Sequence, residues 1–343
     1  MKNVQMNKSI KRIISQCKRW RFFLLNLLLF LCSSFVIFHY TIKNSSLNKS
    51  RPSCSQLIDN EQMFGNMESF NQYPLTLCSE RATKHGRHQK VIGVSIDRSN
   101  KNKIHSTDQI LSSVIQYIVE AKEFYPDWRV RVYYQNVDVT LEQIFQIEQR
   151  YDNVDFCDAL NIPLLGNVTS FLFGGFVRYL PLADRFVDMF MSRNIFSPIF
   201  QREIQSVHQW ISSDKLFHIM RDHPRHHHVI MADLWASKIH QNQTIRYQLR
   251  KHLTTKYLMS CYYSINGEQD FLKDYLWPIA EKQSIQHDSF HCHKYPLSIP
   301  FTKAKLSSTQ FVGCRRPCRF DQNPPGPCPV QCISMNHTDL NLC

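Results

Sequence analysis

The sequence predicts an α/β fold with a mainly parallel sheet flanked by helices, preceded by a membrane anchor and closed by a cysteine-rich tail. Three observations carry this. Short apolar runs at Val91–Ile96, Trp128–Tyr134, Val154–Cys157, Phe186–Met191 and Phe217–Met220 alternate with segments of helical apolar spacing, the order expected of βαβ units. Most of these runs are nearly continuous in apolar residues, as strands buried on both faces are. The last 30 residues hold five cysteines, several prolines and little apolar content, so covalent bridges rather than a core must hold them.

The elements follow in order. Val91–Ile96 is a buried strand bounded by charge. Asp108 is the expected cap of a helix whose apolar face is Ile110, Leu111, Val114, Ile115, Ile118 and Val119, ended by Pro126-Asp127. Trp128–Tyr134 is the second strand. Thr140 and Gln143 have capping-box spacing and open a helix through Leu141, Ile144, Phe145 and Ile147. Val154–Cys157 is the third strand. Right-handed crossovers follow from strand twist.

Arg178 to Ala236 organises the rest. The run Phe186–Met191 ends at the polar group Ser192-Arg193-Asn194. A helix with Ile204, Val207 and Ile211 on one face follows. Then Phe217–Met220 runs into Arg221-Asp222-His223-Pro224, a histidine-rich loop and a last apolar run, Val229–Trp235. Ligands in open α/β sheets bind beyond the carboxyl ends of the strands, so both polar tips are expected on one functional rim. Gly174-Gly175 reads as a turn. Thr244–Met259 and Glu268–Trp277 read as helices, the second stopped by Pro278.

The formal net charge is +13, but residues 1–43 contain eight Lys or Arg and no acid, which leaves +5 for the rest. The basic excess belongs to the N-terminus, so no nucleic-acid partner is expected. Phe22–Phe38, extended to Tyr40, approaches the ~20 residues that span a bilayer, with six basic residues between Lys8 and Arg21 before it. The positive-inside rule holds the N-terminus in the cytosol; a cleaved signal peptide is the alternative. Sequons at Asn44, Asn48, Asn167, Asn242 and Asn336 and ten cysteines beyond the anchor agree with a lumenal, oxidising setting and disulfides. The expected division is a cytosolic tail over 1–21, a transmembrane signal-anchor contacting membrane lipid through one helix over 22–42, and a lumenal stem over 43–89. The α/β body takes 90–313 and a disulfide-rich tail 314–343.

Several segments together resemble a group of secretory-pathway glycosyltransferases. They are Leu180-Pro181-Leu182, Val187–Arg193, Phe217–Pro224 with His226, Gln269–Leu272 with Trp277-Pro278, His287-Asp288-Ser289 and Phe311-Val312-Gly313 before the cysteines. Met220-Arg221-Asp222-His223-Pro224 is the most specific. The resemblance spans roughly Lys90 to Cys343. It implies a GT-A-like fold, a nucleotide-sugar donor, a glycan or glycoprotein acceptor, a Mn2+ or Mg2+ ion, and a Golgi or endoplasmic reticulum membrane. One departure stands out: where the family carries Asp-x-Asp, this chain has Asn194-Ile195-Phe196. Paired carboxylates hold the cation that neutralises the donor diphosphate. Their loss implies a metal-independent site, a substitute group nearby, or a fold kept without catalysis.

The candidate catalytic residues are Asp222 and Asp270, each a possible base. Candidate substrate-binding residues are Arg193 and Arg221 for diphosphate, with Asn194, His223 and Asp188. Candidate metal ligands are His287 and His291. Each has a plainer reading: Asp188 as a satisfied buried acid, Arg193 in a salt bridge, Asp222 as a turn cap with Pro224 fixing the bend, Asp270 as a helix N-terminal acid. His226-His227-His228 reads as a solvated loop, since three consecutive residues rarely converge on one ion. The spacing Cys314-x3-Cys318 and Cys328-x3-Cys332 admits a zinc ribbon, with disulfides favoured by compartment.

Overall fold

The computed structural model describes residues 74–96, 106–135, 139–305, 307, 309–318 and 327–333. The expected anchor at 22–42 and most of the expected stem lie outside these residues. Among those described, no helix is long and apolar enough to cross a membrane.

A short helix, α1 (Glu80–Lys84), is capped by Ser79. Strand β1 (Gln89–Ser95) leads to α2 (Thr107–Phe124), β2 (Trp128–Tyr134), α3 (Leu141–Arg150) and β3 (Val154–Asp158). The cap of α2 is Ser106 rather than Asp108. The Ser106 hydroxyl accepts from Gln109 N, and Gln109 Oε1 accepts from Ser106 N. Asp108 instead sits in the first turn, where the helix dipole favours an acid. The Thr140–Gln143 capping box of α3 forms as its spacing implies.

Gly174–Ala183 is a 3-10 run, not a turn. After it come β4 (Val187–Ser192), α4 (Gln201–Ile211), β5 (Phe217–Arg221) and β6 (Trp235–Ser237). The apolar run Val229–Trp235 is mostly irregular, and only its end, Trp235, enters a strand. Helix α5 (Gln243–Thr254) breaks at Thr255, whose backbone is extended, before α6 (Lys256–Ser260). Helix α7 (Gly267–Phe271) runs through a π turn at Leu272–Leu276 into α8 (Trp277–Ala280). Pro278 does not stop it. It sits in the first turn of α8, where a missing N–H is tolerated. Strands β7 (Ser284–Asp288) and β8 (Ser298–Ile299) complete the sheet.

The eight strands run in the order β3-β2-β1-β4-β6-β5-β7-β8. Strand β6 is antiparallel to both neighbours, and every other pairing is parallel. All strands but β6 therefore point their carboxyl ends to one edge. The order reverses between β1 and β4, which makes that gap the switch point of the sheet.

Two apolar clusters cover the two faces. Val91 and Phe190 pack on one side with the 3-10 run and α5–α8; Ile92, Val94, Met189 and Met191 pack on the other with α2 and α4. Alternation of side chains along each strand accounts for the division. Gly93 lies where the 3-10 run crosses β1: a Cβ there would sit 2.2 Å from Arg178 O and 2.9 Å from Phe190.

The folded body begins before Lys90. Leu77, Cys78 and Ala82 are in the core, and Cys78 bridges Cys157 of β3. Residues 74–89, assigned to the stem by composition, belong to the body. At the other end Cys314 pairs with Cys318 and Cys332 with Cys292, and Cys261 and Cys328 are also disulfide-bonded. Disulfides, not a zinc ribbon, hold these described cysteines.

Candidate functional site at the sheet switch point

The ladder between β1 and β4 runs one residue past the strand, with Arg193 N donating to Gly93 O at 3.1 Å. This sets the tip Arg193-Asn194-Ile195 at the switch point. The Arg193 side chain turns away from solvent. Its Nε donates to Glu203 Oε1 at 2.7 Å, and Nη1 donates to the carbonyls of Ser192 and Trp235. Only 2% of Arg193 is exposed. A guanidinium so committed is no diphosphate ligand, and the expected role is corrected to an internal clamp between β4 and α4.

Asn194 is half-buried at the tip. Its Nδ2 donates to Asp233 Oδ2 at 3.3 Å, and its Oδ1 accepts from Phe196 N at 3.0 Å. The neutral amide thus lies against a carboxylate supplied by the β5–β6 connection. That connection is tied down on several sides. Tyr179 and Ser192 hydroxyls donate to Ala232 O at 2.8 and 2.7 Å. The Gln269 amide, oriented to satisfy both partners, donates to Ile230 O at 2.9 Å and accepts from Ala232 N at 3.1 Å. Beside it Arg178 Nη2 donates to Glu268 Oε1 at 2.6 Å. Burial alone would lower the Arg178 pKa, but Glu268, Tyr179 and Asp233 together raise it above its usual value. Gly175 makes room for this pair, since a Cβ there would meet Glu268 Oε2 at 2.7 Å.

Arg221 and Asp222 face into the protein. Arg221 is fully buried, donating to Asp288, Gln286, Ser298 and Val229 O, and its guanidinium lies over the Tyr295 ring. Asp222 accepts from Arg202 through both oxygens, from Ser289 Oγ and from Val312 N, with Lys305 at 3.2 Å. Burial pushes its pKa up, but Arg202 and Lys305 outweigh that and hold it at about 2. A buried carboxylate so saturated is a poor proton acceptor. The most specific string of the resemblance therefore builds structure, and the roles expected of Arg221 and Asp222 are corrected.

His223 is buried, its Nδ1 accepting from Arg225 N and its ring packed 4.3 Å from that of Phe311. His226 Nδ1 accepts from Asp222 N, and burial lowers its pKa to about 4. This loop is folded by its own side chains, not solvated throughout. His287 has both ring nitrogens engaged, with His218 at 2.9 Å and Gln209 at 3.0 Å, and burial first, then Arg202, lower its pKa to about 3. His291 Nε2 meets Pro224 O at 3.0 Å. Neither is arranged to complete a metal site at the tip.

Asp288, Cys292 and Cys332 converge, but the two sulfurs form a disulfide and offer no thiolate. Asp288 is also paired with Arg221.

Asp188 sits at the opposite end of β4, its Oδ2 2.7 Å from His88 Nδ1. It belongs to another edge of the sheet. Asp270 is exposed on α7, close enough to His228 to favour that residue's cation against burial. It remains an accessible carboxylate. Asp233 and Glu268 are the residues that sequence reasoning missed. Asp233 carried one available signal: an acid within an apolar run, as Asp188 is.

A hard divalent cation needs oxygen ligands, and Mg2+ is held by one or two carboxylates with phosphate and water completing the shell. Asp233, bonded to a neutral amide, fits that minimal requirement; the tip does not form an all-protein cage. Compared with protein-family models, curated proteins and solved structures, the chain matches none.

Proposed function

We propose that this chain is a membrane-anchored lumenal protein of GT-A-like fold. It binds a nucleotide-sugar at the β1–β4 switch point and transfers the sugar to a hydroxyl of a glycan or glycoprotein. The observation that carries this is the contact between Asn194 and Asp233, which returns a carboxylate to the strand tip where the resemblance lacks one. In this reading Asp233 holds Mg2+ or Mn2+ together with the donor diphosphate, and the ion's chemistry is charge neutralisation there. The acceptor oxygen attacks the anomeric carbon as the bond to the diphosphate breaks, Asp270 takes the hydroxyl proton, and the nucleoside diphosphate leaves. The apolar segment 22–42, the sequons and the disulfides support a single-pass Golgi or endoplasmic reticulum setting with the body in the lumen.

A second reading has its own observation. Arg193, Arg221 and Asp222 are consumed by internal bonds, and Asn194 and Phe196 stand at the acid positions. This favours a non-catalytic member that binds a glycan or a partner protein through the same rim.

The test is a thermal-shift screen of the full chain in detergent with nucleoside diphosphates and nucleotide-sugars. Manganese, magnesium and chelator are compared for wild type and Asp233→Asn. A ligand selective for the native state raises its apparent stability. A metal-dependent shift lost in Asp233→Asn is the expected result. A shift that survives chelator removes the ion from the proposal, and no shift with any nucleotide sinks the donor site. Sugar release or transfer by the shifted sample separates enzyme from binder.

A further inference from the structure

Two sequons lie in the described body, Asn167-Val168-Thr169 and Asn242-Gln243-Thr244. Neither has proline at its middle position, which would bar the modification. The others, at Asn44, Asn48 and Asn336, lie outside the described residues. Asn167 follows β3. A turn closes just before it, Ile162 N donating to Gly166 O at 3.0 Å and Gly166 N to Ile162 O at 2.8 Å. Val168 then enters the core, its N donating to Ala159 O, and Asn167 is left exposed. Asn167 Oδ1 accepts from Thr169 N at 3.0 Å and from Thr169 Oγ1 at 2.8 Å. The loop is fixed from outside as well, by Tyr263 Oη donating to Thr169 O at 3.0 Å.

Asn242 follows β6 and caps α5, its Oδ1 accepting from Ile245 N at 3.0 Å. It is half-buried, and Gln243 and Thr244 are exposed. An asparagine amide offers an oxygen acceptor and an NH2 donor. In both sequons the fold engages the oxygen in a local bond to the chain. Nδ2 donates to none of the described residues, and in neither case is it shut off from solvent. A sugar is bulky and must stay outside the packed chain. Attached at Nδ2 in these two places, it costs the fold no hydrogen bond.

We propose that Asn167 and Asn242 are both N-glycosylated. The inference rests on the lumenal setting put forward above, and not on the nucleotide-sugar site. The co-reactant is an oligosaccharide carried on a lipid diphosphate. Nδ2 attacks its anomeric carbon, the carbon–oxygen bond to the diphosphate breaks, the diphosphate leaves with the electron pair, and Nδ2 gives up one proton. One N–H remains and Oδ1 keeps its bonds, so α5 stays capped. The two glycans stand at opposite edges of the sheet. Val168 is tied to the residue after β3 at the carboxyl edge, whereas α5 is tied through Arg246 to Val187 O at the start of β4.

The test is expression of the full chain in cultured eukaryotic cells, followed by digestion with peptide N-glycosidase in heavy-oxygen water. Digestion turns each glycosylated asparagine into a labelled aspartate, which peptide mass spectrometry places by residue. Label at Asn167 and at Asn242 is expected. On gels, Thr169→Ala and Thr244→Ala should each lose the mobility step of one glycan, and the double variant two steps. Thr169→Ser and Thr244→Ser keep a hydroxyl and should keep the step, which separates loss of the sequon from misfolding. Asn242→Asp retains a good cap and should lose the step as Thr244→Ala does. Label at Asn44, Asn48 or Asn336 with none at Asn167 and Asn242 overturns the proposal and leaves the lumenal setting standing. Label at one of the two overturns the assignment of the other. No label at any sequon overturns both the proposal and the lumenal setting.

Discussion

The two edges of the sheet treat charge in opposite ways. At the carboxyl edge Arg193, Arg202, Arg221 and Arg178 are matched to Glu203, Asp222, Asp288 and Glu268. At the amino edge Arg87, Arg185, Arg246 and Arg250 line one cavity around Asp188. Both edges look alike in composition. They differ in burial. At the carboxyl edge Arg193, Arg202 and Arg221 are shut away with their acids and build the fold; at the amino edge Arg87 is exposed and Arg185, Arg246 and Arg250 are half-buried.

The comparison can be broken most directly by removing one acid from each edge. Asp222→Ala leaves Arg202 and Lys305 buried without their partner, and the expected loss is about 3–5 kcal/mol. Asp188→Ala, at a half-exposed position, should change stability by less than about 1 kcal/mol. Denaturant unfolding of the two variants measures both. If Asp222→Ala cost no more than Asp188→Ala, the carboxyl edge would not be a structural network, and Asp222 would return as a candidate base.

A smaller effect tests how the carboxyl edge is assembled. Gly93→Ala places a methyl group against Arg178 O and Phe190. The nearest atom is backbone and cannot swing aside, so overpacking of about 1–3 kcal/mol is expected. Denaturant unfolding measures the loss, and an unchanged midpoint would show that the 3-10 run can move off β1.

A dependence on pH tests the buried histidines and the buried acid near the carboxyl edge. Burial lowers the pKa of His226 to about 4 and of His287 to about 3, both below the unfolded value near 6.5. Below that value the unfolded chain binds protons that the folded chain refuses, so stability falls as pH drops from about 6.5. Asp222, held at about 2, adds a further loss as pH falls from about 4 towards 2. The melting temperature should therefore be flat near pH 7–8 and decline steadily below 6.5, with Asp222 sustaining the decline below 4. His287→Gln should flatten the upper part of the slope. A slope unchanged in that variant would remove His287 from the account.

Much of the fold was legible because the relevant patterns are local. Thr140 and Gln143 are three residues apart and cap the helix they announce. The apolar runs from Val91 to Met220 became strands because both faces of the sheet are covered. Misreadings arose where a second local pattern competed or a distant partner decided. Asp108 lost the cap to Ser106 because the reciprocal bond with Gln109 was equally close at hand. Val229–Leu234 stayed irregular although apolar, being bound instead to Tyr179, Ser192 and Gln269. Pro278 was read as a stop, yet the helical path continues through a π turn and places it in the first turn of α8.

The site was less legible, for the same physical reason. An arginine at a strand tip reads as a ligand until its partner is known. The partner of Arg193 is ten residues away on the next helix, and that of Arg221 is 67 residues away on β7. Asp233 and Asn194 are separated by 39 residues and meet because the β5–β6 connection crosses the β4 tip.

By itself the sequence determined the alternation of strands and helices, the rim on which polar tips gather and the disulfide character of the tail. These depend on period, composition and residue identity. Only the tertiary structure decided which charges are spent on one another. Charge neutralisation falls off with distance in space, and the order of residues along a chain does not state that distance.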